Sequence, residues 1–251
     1  MNLLKLGVGN AKLTQQVAVF DLVAGWSCPF AKDCAEKVDR ITGKLIPNPN
    51  SKFRCFAAVS ELISPDARKK RWYNFDLIKS CKTEKSIAEL IINSLNANKK
   101  AKQAPYVRIH SSGDFFSQKY FNAWIIVANA MPEKTFYAYT KSLKFWVNRL
   151  GEIPANFRLN ASKGGKTDDL IEKYNLKNVE VVFSIEEAKT KGLEIDHDDS
   201  LAISSEVKKF ALLIHGGQLA GSEASKAVQK LKKEGIFGYN RGHVGEGRKT
   251  A

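Results

Sequence analysis

From Pro105 onward the chain alternates strand and helix signals with short connections, and this alternation restricts the architectures open to it. Strands are predicted at Tyr106 to Ser111, Thr135 to Thr140, Asn156 to Ala161, Val179 to Phe183 and Phe210 to Ile214, with a further short one at Leu201 to Ser204. Helices fall between them. Ser117 starts the one carrying Tyr120, Phe121, Trp124, Ile125 and Ala128; others run through Phe145 to Leu150, from Thr167-Asp168-Asp169, from Ser184-Ile185-Glu186-Glu187, and over Ser222 to Glu234 before Gly235. Such a pattern requires parallel strands covered by helices, as a barrel or an open sheet. In three successive strands one face is apolar (Val107 and Ile109, Phe136 and Ala138, Phe157 and Leu159), while the other carries Arg108 and His110, Tyr137 and Tyr139, Arg158 and Asn160. A doubly wound sheet wants both faces apolar, whereas a barrel with a functional lumen can turn polar groups inward. The expected fold is therefore α/β, a complete or partial (β/α) barrel with parallel strands and an N-terminal cysteine-bearing helical insertion. Residues 1–251 read as a single domain, with 25–104 a metal-binding loop and helical segment.

The first strand is expected over Val17 to Ala24, ending at Gly25. Residues 36 to 54 hold Gly43, Pro47 and Pro49 among polar residues and predict a loop or irregular hairpin. Phe56, Val59, Leu62 and Ile63 recur at helical spacing until Pro65; a second helix is expected over Lys69 to Ser80, and Thr83 caps a third with Ile87, Leu90, Ile91, Ser94 and Leu95 on one face. Asn96 to Ala104 is predicted to be a polar link.

Cys28, Cys34, Cys55 and Cys81 are the four cysteines, all in the first third of the chain, with five, twenty and twenty-five residues between them. The N-terminus has no cleavable signal pattern, so a reducing compartment is expected, which favours thiolate ligands over disulfides. Zinc ribbons and fingers use tight cysteine pairs two to four residues apart, and none occurs here. Iron–sulfur clusters accept wider spacing because the cluster spans several metal centres. The expected cofactor is an iron–sulfur cluster, most simply 4Fe–4S, held by Cys28, Cys34 and Cys55 with Cys81 as a fourth ligand or a core thiol. Zinc, or thiols that are merely buried, are the alternatives.

Polar residues collect at the C-terminal ends of the strands, where barrel active sites are built. His110, Asp114 and Lys141 are the candidate catalytic groups: a histidine for proton transfer, a carboxylate beside it, and a lysine able to balance an anionic cluster or bind a carboxylate. Ser112, Gly113, His215 and Gly216 are the candidate cofactor-binding residues, the last two leading through Gly217 and Gly221-Ser222 into a helix N-terminus suited to an anion.

Lysine and arginine number 40 against 26 acids, a net charge of +14, which points to polyanionic partners and makes nucleic acid a candidate. The charge clusters at Arg68-Lys69-Lys70-Arg71 beside Trp72 and Tyr73, at Lys99 to Lys102, at Lys230 to Lys233, and in a tail with Arg241, Arg248 and Lys249. Aromatic neighbours could stack on bases. No apolar run approaches the roughly 20 residues a bilayer requires, so no membrane partner is expected. A substrate or redox partner is implied by the candidate site without being identified by it.

Four stretches resemble the phage-encoded gene product 88-like family: Ala24-Gly25-Trp26-Ser27-Cys28-Pro29-Phe30-Ala31-Lys32-Asp33-Cys34, Cys55-Phe56-Ala57, Arg108-Ile109-His110-Ser111-Ser112-Gly113-Asp114-Phe115 and Phe136-Tyr137-Ala138-Tyr139-Thr140-Lys141-Ser142. Leu213-Ile214-His215-Gly216 extends the resemblance more weakly. It implies a phage protein working in the cytoplasm of an infected bacterium and supplies no reaction. A looser likeness is to radical S-adenosylmethionine enzymes, which place three cysteines after the first strand of a partial (β/α) barrel. This chain lacks their tight cysteine spacing.

Overall fold

The structure, a computed structural model, describes residues 2–9, 13 and 16–236. The basic tail with Arg241, Arg248 and Lys249 lies outside the described residues. Strands β1 (Gly7–Val8) and β2 (Val17–Phe20) come first, then a small antiparallel hairpin of β3 (Lys37–Val38) and β4 (Leu45–Ile46). Four helices follow: α1 (Phe56–Ile63), α2 (Pro65–Ser80), α3 (Glu84–Ala97) and α4 (Lys99–Gln103). The alternating part comprises β5 (Tyr106–Ile109), α5 (Gln118–Ala130), β6 (Thr135–Thr140), α6 (Leu143–Val147), β7 (Phe157–Ser162), α7 (Asp169–Lys173), β8 (Asn178–Val182), α8 (Ile185–Thr190), α9 (Ser200–Ile203), β9 (Lys209–Leu213) and α10 (Glu223–Lys233).

Seven strands form one sheet in the order β1-β2-β5-β6-β7-β8-β9. Only β1 is antiparallel to its neighbour. Ala18 pairs with Val107, Val107 with Phe136 and Phe136 with Phe157, so the apolar residues predicted to share a face do share it. That face packs beneath α3 and α5 in the largest core, with Ile87, Ile91, Leu95, Phe121 and Trp124 over Ile109, Phe136, Ala138 and Phe157. Trp124 is 1% exposed, and its truncation to alanine would cost about 3–5 kcal/mol.

The sheet does not close. β1 and β9 each pair with a single neighbour, so the complete barrel does not form. The reason lies on the polar face. Arg108, Tyr137 and Tyr139 all donate to the carboxylate of Asp199, at 2.7, 3.0 and 2.9 Å, and draw the segment around α9 onto the sheet, although Arg108 and Tyr139 also border the cavity described below. Asn160 donates to the carbonyl of Ala202 at 3.2 Å. This explains a second correction. Leu201 to Ser204 does not form a strand, because Asp199, left-handed at φ 69° and fully buried, starts the short helix α9 there.

Local signals account for most boundaries. Ser64, Thr83, Ser117, Ser184 and Ser222 each accept an amide at the start of a helix, and Thr83 forms a reciprocal box with Ser86. Pro65 both ends α1 and opens α2 at its first position, where its missing N–H is harmless. Several expectations change in extent: α2 begins at Pro65 instead of Lys69, β5 ends at Ile109 instead of Ser111, and α6 covers Leu143–Val147 instead of reaching Leu150. The first strand stops at Phe20 instead of Ala24, and the lysine-rich link contains α4, capped by Asn98.

Candidate functional site

A cavity of about 160 Å³ sits at the C-terminal ends of β2 and β5 through β9. Cys28 reaches it from the loop after β2. The loop turns at Gly25 (φ 68°), where a Cβ would lie 2.3 Å from the carbonyl oxygen of Glu36, so only glycine lets the chain pass. Gly113 (φ 88°) plays the same part after β5: a Cβ there would meet Ser27 Oγ at 2.5 Å. The two loops interlock through these positions, with Ser27 Oγ donating to the Val23 carbonyl at 2.6 Å.

Cys34 is carried into the cavity because the Lys32 and Asp33 amides donate to the Gly164 carbonyl in the loop after β7. Cys55 precedes α1. Its own amide donates to Glu36 at 2.9 Å, and the neighbouring Arg54 amide donates to Gln218 in the loop after β9. All three thiols line the one cavity, and each is free and partly buried. Cys81 does not join them. It terminates α2, its thiol 3.6 Å from the Leu77 carbonyl, and packs against the main core.

Burial raises all three thiols. It pushes Cys55 up to about 12, with Cys34 adding to the effect, while the amides of Ala57 and Ala58 oppose it; no capping bond forms there. Cys28 is raised by burial, then by Asp114, Cys55 and Cys34, and Cys34 by burial against the opposing pull of Lys141. Neutral thiols are thus the state of the metal-free cavity. A bound cation would reverse that preference, because a coordinated thiol is deprotonated. Among the described residues, no group of three or more His, Cys, Asp or Glu side chains is arranged to hold a single metal ion.

His110, Asp114 and Lys141 line the same cavity. His110 has a left-handed backbone (φ 67°), bonds Tyr120 through Nε2 at 2.8 Å and leaves Nδ1 without a partner. Burial pushes it down to about 3, so it is neutral. Burial pushes Asp114 up to about 6 against the bonds from Thr140 and from the amides of Lys141 and Phe115. Lys141 is buried, its ammonium donating to Ser162 O, Ser162 Oγ and Lys163 O at 3.0, 2.7 and 2.7 Å. Three oxygen acceptors hold the ammonium beside the thiols, with the Asp114 carboxyl close enough to interact with it.

The predicted cofactor-binding residues divide. Ser112 and His215 line the cavity, but Ser112 spends its polar groups on the Leu22 carbonyl and Asp21, so it braces the loop. Gly113 lines it as the close-approach point described above. His215 packs at a tilt against Phe56 with centroids 4.9 Å apart, and Gly216 backs onto the same phenylalanine instead of lining the cavity. The N-terminus of α10 is satisfied by Ser222 itself. Sequence reasoning missed Glu36 and Arg54, and it set Thr140 and Ser162 among the polar strand ends without giving them a role. Thr140 had a legible signal, since it precedes Lys141 at the predicted end of a strand; Glu36 lay in a stretch with no periodicity.

This is an α/β protein with an open, mostly parallel seven-stranded sheet and a cysteine-lined cavity at the strands' C-terminal ends. Residues 1–231 match the Gene product 88 family, and the chain belongs to it, as the phage-protein resemblance implied. No curated protein and no solved structure matches it, so the likeness to radical S-adenosylmethionine enzymes gains no support. No helix among the described residues is long and apolar enough to cross a membrane.

Proposed function

We propose that this protein is an iron–sulfur protein in which Cys28, Cys34 and Cys55 hold a cluster at the mouth of a curled, partial (β/α) barrel, with residues 25–104 as its binding segment. The cluster would supply redox or radical-type chemistry for a substrate or redox partner admitted to the cavity. The observation carrying the reading is that three thiols, delivered by loops far apart in sequence, share one cavity with the buried ammonium of Lys141. An anionic thiolate-ligated centre would match that charge, adding to the three oxygen acceptors and the nearby Asp114 carboxyl that already hold the ammonium.

The donor set fits a cluster better than zinc. A structural zinc ion wants four ligands gathered tetrahedrally, whereas Cys81 is elsewhere and, among the described residues, no three candidate donors close on one point. Thiolates around a cluster bind different iron atoms and need not converge. In this arrangement Lys141 offsets negative charge and orients the Ser162 loop. Asp114, with a pKa of about 6, can hold or release a proton near neutrality, and neutral His110 offers a hydrogen-bonding nitrogen to a guest.

Purification under anaerobic conditions tests the reading. A brown protein with broad visible absorption that bleaches on reduction supports it. A colourless protein that binds zinc and refuses iron and sulfide overturns it.

A further inference from the structure

A second concavity, of about 430 Å³, lies between α2 and the β3–β4 hairpin. Arg40, Arg68, Lys69, Trp72, Tyr73 and Asp76 line it. The basic run seen in sequence is sorted by the helix: Arg71 turns inward to Glu61 at 3.2 Å, and Lys70 lies half-buried near Gly7 and Asp21, leaving Arg68 and Lys69 on the groove. Asp76 is the one acid among the lining residues. It pairs with Arg40, but both side chains are about half exposed (52% and 46%), so water competes for the pair.

Cations and rings are interleaved along this face. The Arg40 guanidinium lies 4.7 Å from the Trp72 ring, Trp72 is 5.9 Å from Trp26, and Lys37 sits 4.5 Å over Trp26. Lys5 sits 4.7 Å over Tyr73. Trp26 is 42% exposed although tryptophan is costly to leave in water, and its Nε1 donates to the Val38 carbonyl, fixing the ring on the hairpin.

We infer that this groove binds single-stranded nucleic acid, with Arg40, Arg68 and Lys69 on phosphates and the Trp26–Trp72–Tyr73 array against base faces. Cations beside aromatic rings meet the two surfaces of an unpaired strand, and a duplex hides its base faces; Arg68 is steadied by a bond to the Glu61 carbonyl at 2.7 Å. The net charge of +14 strengthens capture from a distance. Trp26 is two residues from Cys28, so a strand on the groove touches the loop that supplies the first thiol to the cavity. The groove shares no residue with that cavity, and this inference stands apart from the identity of any cluster.

The test is fluorescence anisotropy of the full chain with a fluorescein-labelled single-stranded oligothymidylate. Arg40→Glu with Lys69→Glu is compared with Lys226→Glu and Lys230→Glu on α10, the same charge change at another place. The groove pair is expected to weaken binding at least about tenfold and to flatten the slope of log affinity on log salt by about 1.4, two single-strand phosphate contacts. The α10 pair should leave the slope intact. Strand binding should also quench tryptophan emission, and Trp26→Phe should reduce the quench. Circular dichroism screens for folding, and Arg40→Gln replaces the groove pair if that pair is unfolded. Equal losses from both pairs, equal affinity for a duplex of the same length, or displacement by inorganic polyphosphate with no tryptophan response would overturn the proposal.

Discussion

The guanidinium of Arg108 lies 2.7 Å from the carboxylate of Asp199, and both side chains are buried, at 9% and 0% exposure. One residue sits on the second parallel strand of the sheet and the other in the segment before α9, so this pair fastens the cover of the polar face. Tyr137 and Tyr139 add two hydroxyls to the same carboxylate. Burial pushes both tyrosines well above the ordinary phenol range, so they remain donors at every accessible pH. Asp199→Ala is predicted to destabilise the fold by about 3–5 kcal/mol, measured by guanidinium denaturation, because it leaves a buried cation without its carboxylate. A loss under about 1 kcal/mol would show that the segment is held by apolar packing alone.

His110 gives the fold an acid sensitivity. Its folded pKa, about 3, lies below its ordinary 6.5, so between those values the unfolded chain takes up a proton that the folded chain refuses. Stability therefore falls as pH drops through that window, by up to about 1.4 kcal/mol per pH unit. Asp114 acts in the opposite sense, since its raised pKa makes the folded state the better proton acceptor between about 6 and 3.8. Comparison with His110→Asn, which also tolerates the positive φ, isolates the histidine: the variant should lose about one proton from the pH dependence of unfolding. Identical slopes in the two proteins would refute this assignment.

The cysteines should separate by function. Cys28→Ser, Cys34→Ser and Cys55→Ser are each predicted to lose most of the bound iron, while Cys81→Ser keeps it and costs less than about 1 kcal/mol, as a partly buried thiol at a helix end would. Iron content by plasma mass spectrometry reads the difference. Loss of iron in Cys81→Ser would contradict the placement.

Lys141→Gln removes a positive charge from beside the thiols and leaves the Ser162 and Lys163 carbonyls short of a donor. Unfolding should become easier by about 1–3 kcal/mol. The reduction potential of the proposed cluster should move to more negative values, because reduction adds negative charge that the lysine no longer balances. Spectroelectrochemistry measures it, and an unchanged or more positive potential would count against the charge-balancing role.

Much of the fold was legible because local signals and tertiary demand agree there. Thr135 to Thr140 is a strand end to end, as its alternation predicts, and Thr83 caps α3 over the apolar face expected of it. The polar side of the sheet was legible as polar but not as covered. Arg108, Tyr137 and Tyr139 look the same in sequence whether they line a lumen or grip a distant aspartate, and the partner lies 91 residues from Arg108. Leu201 to Ile203 has the apolar character of a strand, and only the left-handed Asp199 and its buried bonds make it helical. Within the site, Cys28, Cys34, Cys55, His110, Asp114 and Lys141 were readable from chemistry and position, and they meet in one cavity. Cys81 was set apart in sequence as a fourth ligand or a core thiol, an alternative that spacing alone could not decide.

Metal analysis of the anaerobically purified full chain tests the central claim most directly. Iron and acid-labile sulfide in near-equal amounts, about four of each per chain for a 4Fe–4S centre and lost together in Cys28→Ser, is the predicted result. A chain that carries zinc alone, or that takes up no metal after reconstitution with iron and sulfide, would contradict it.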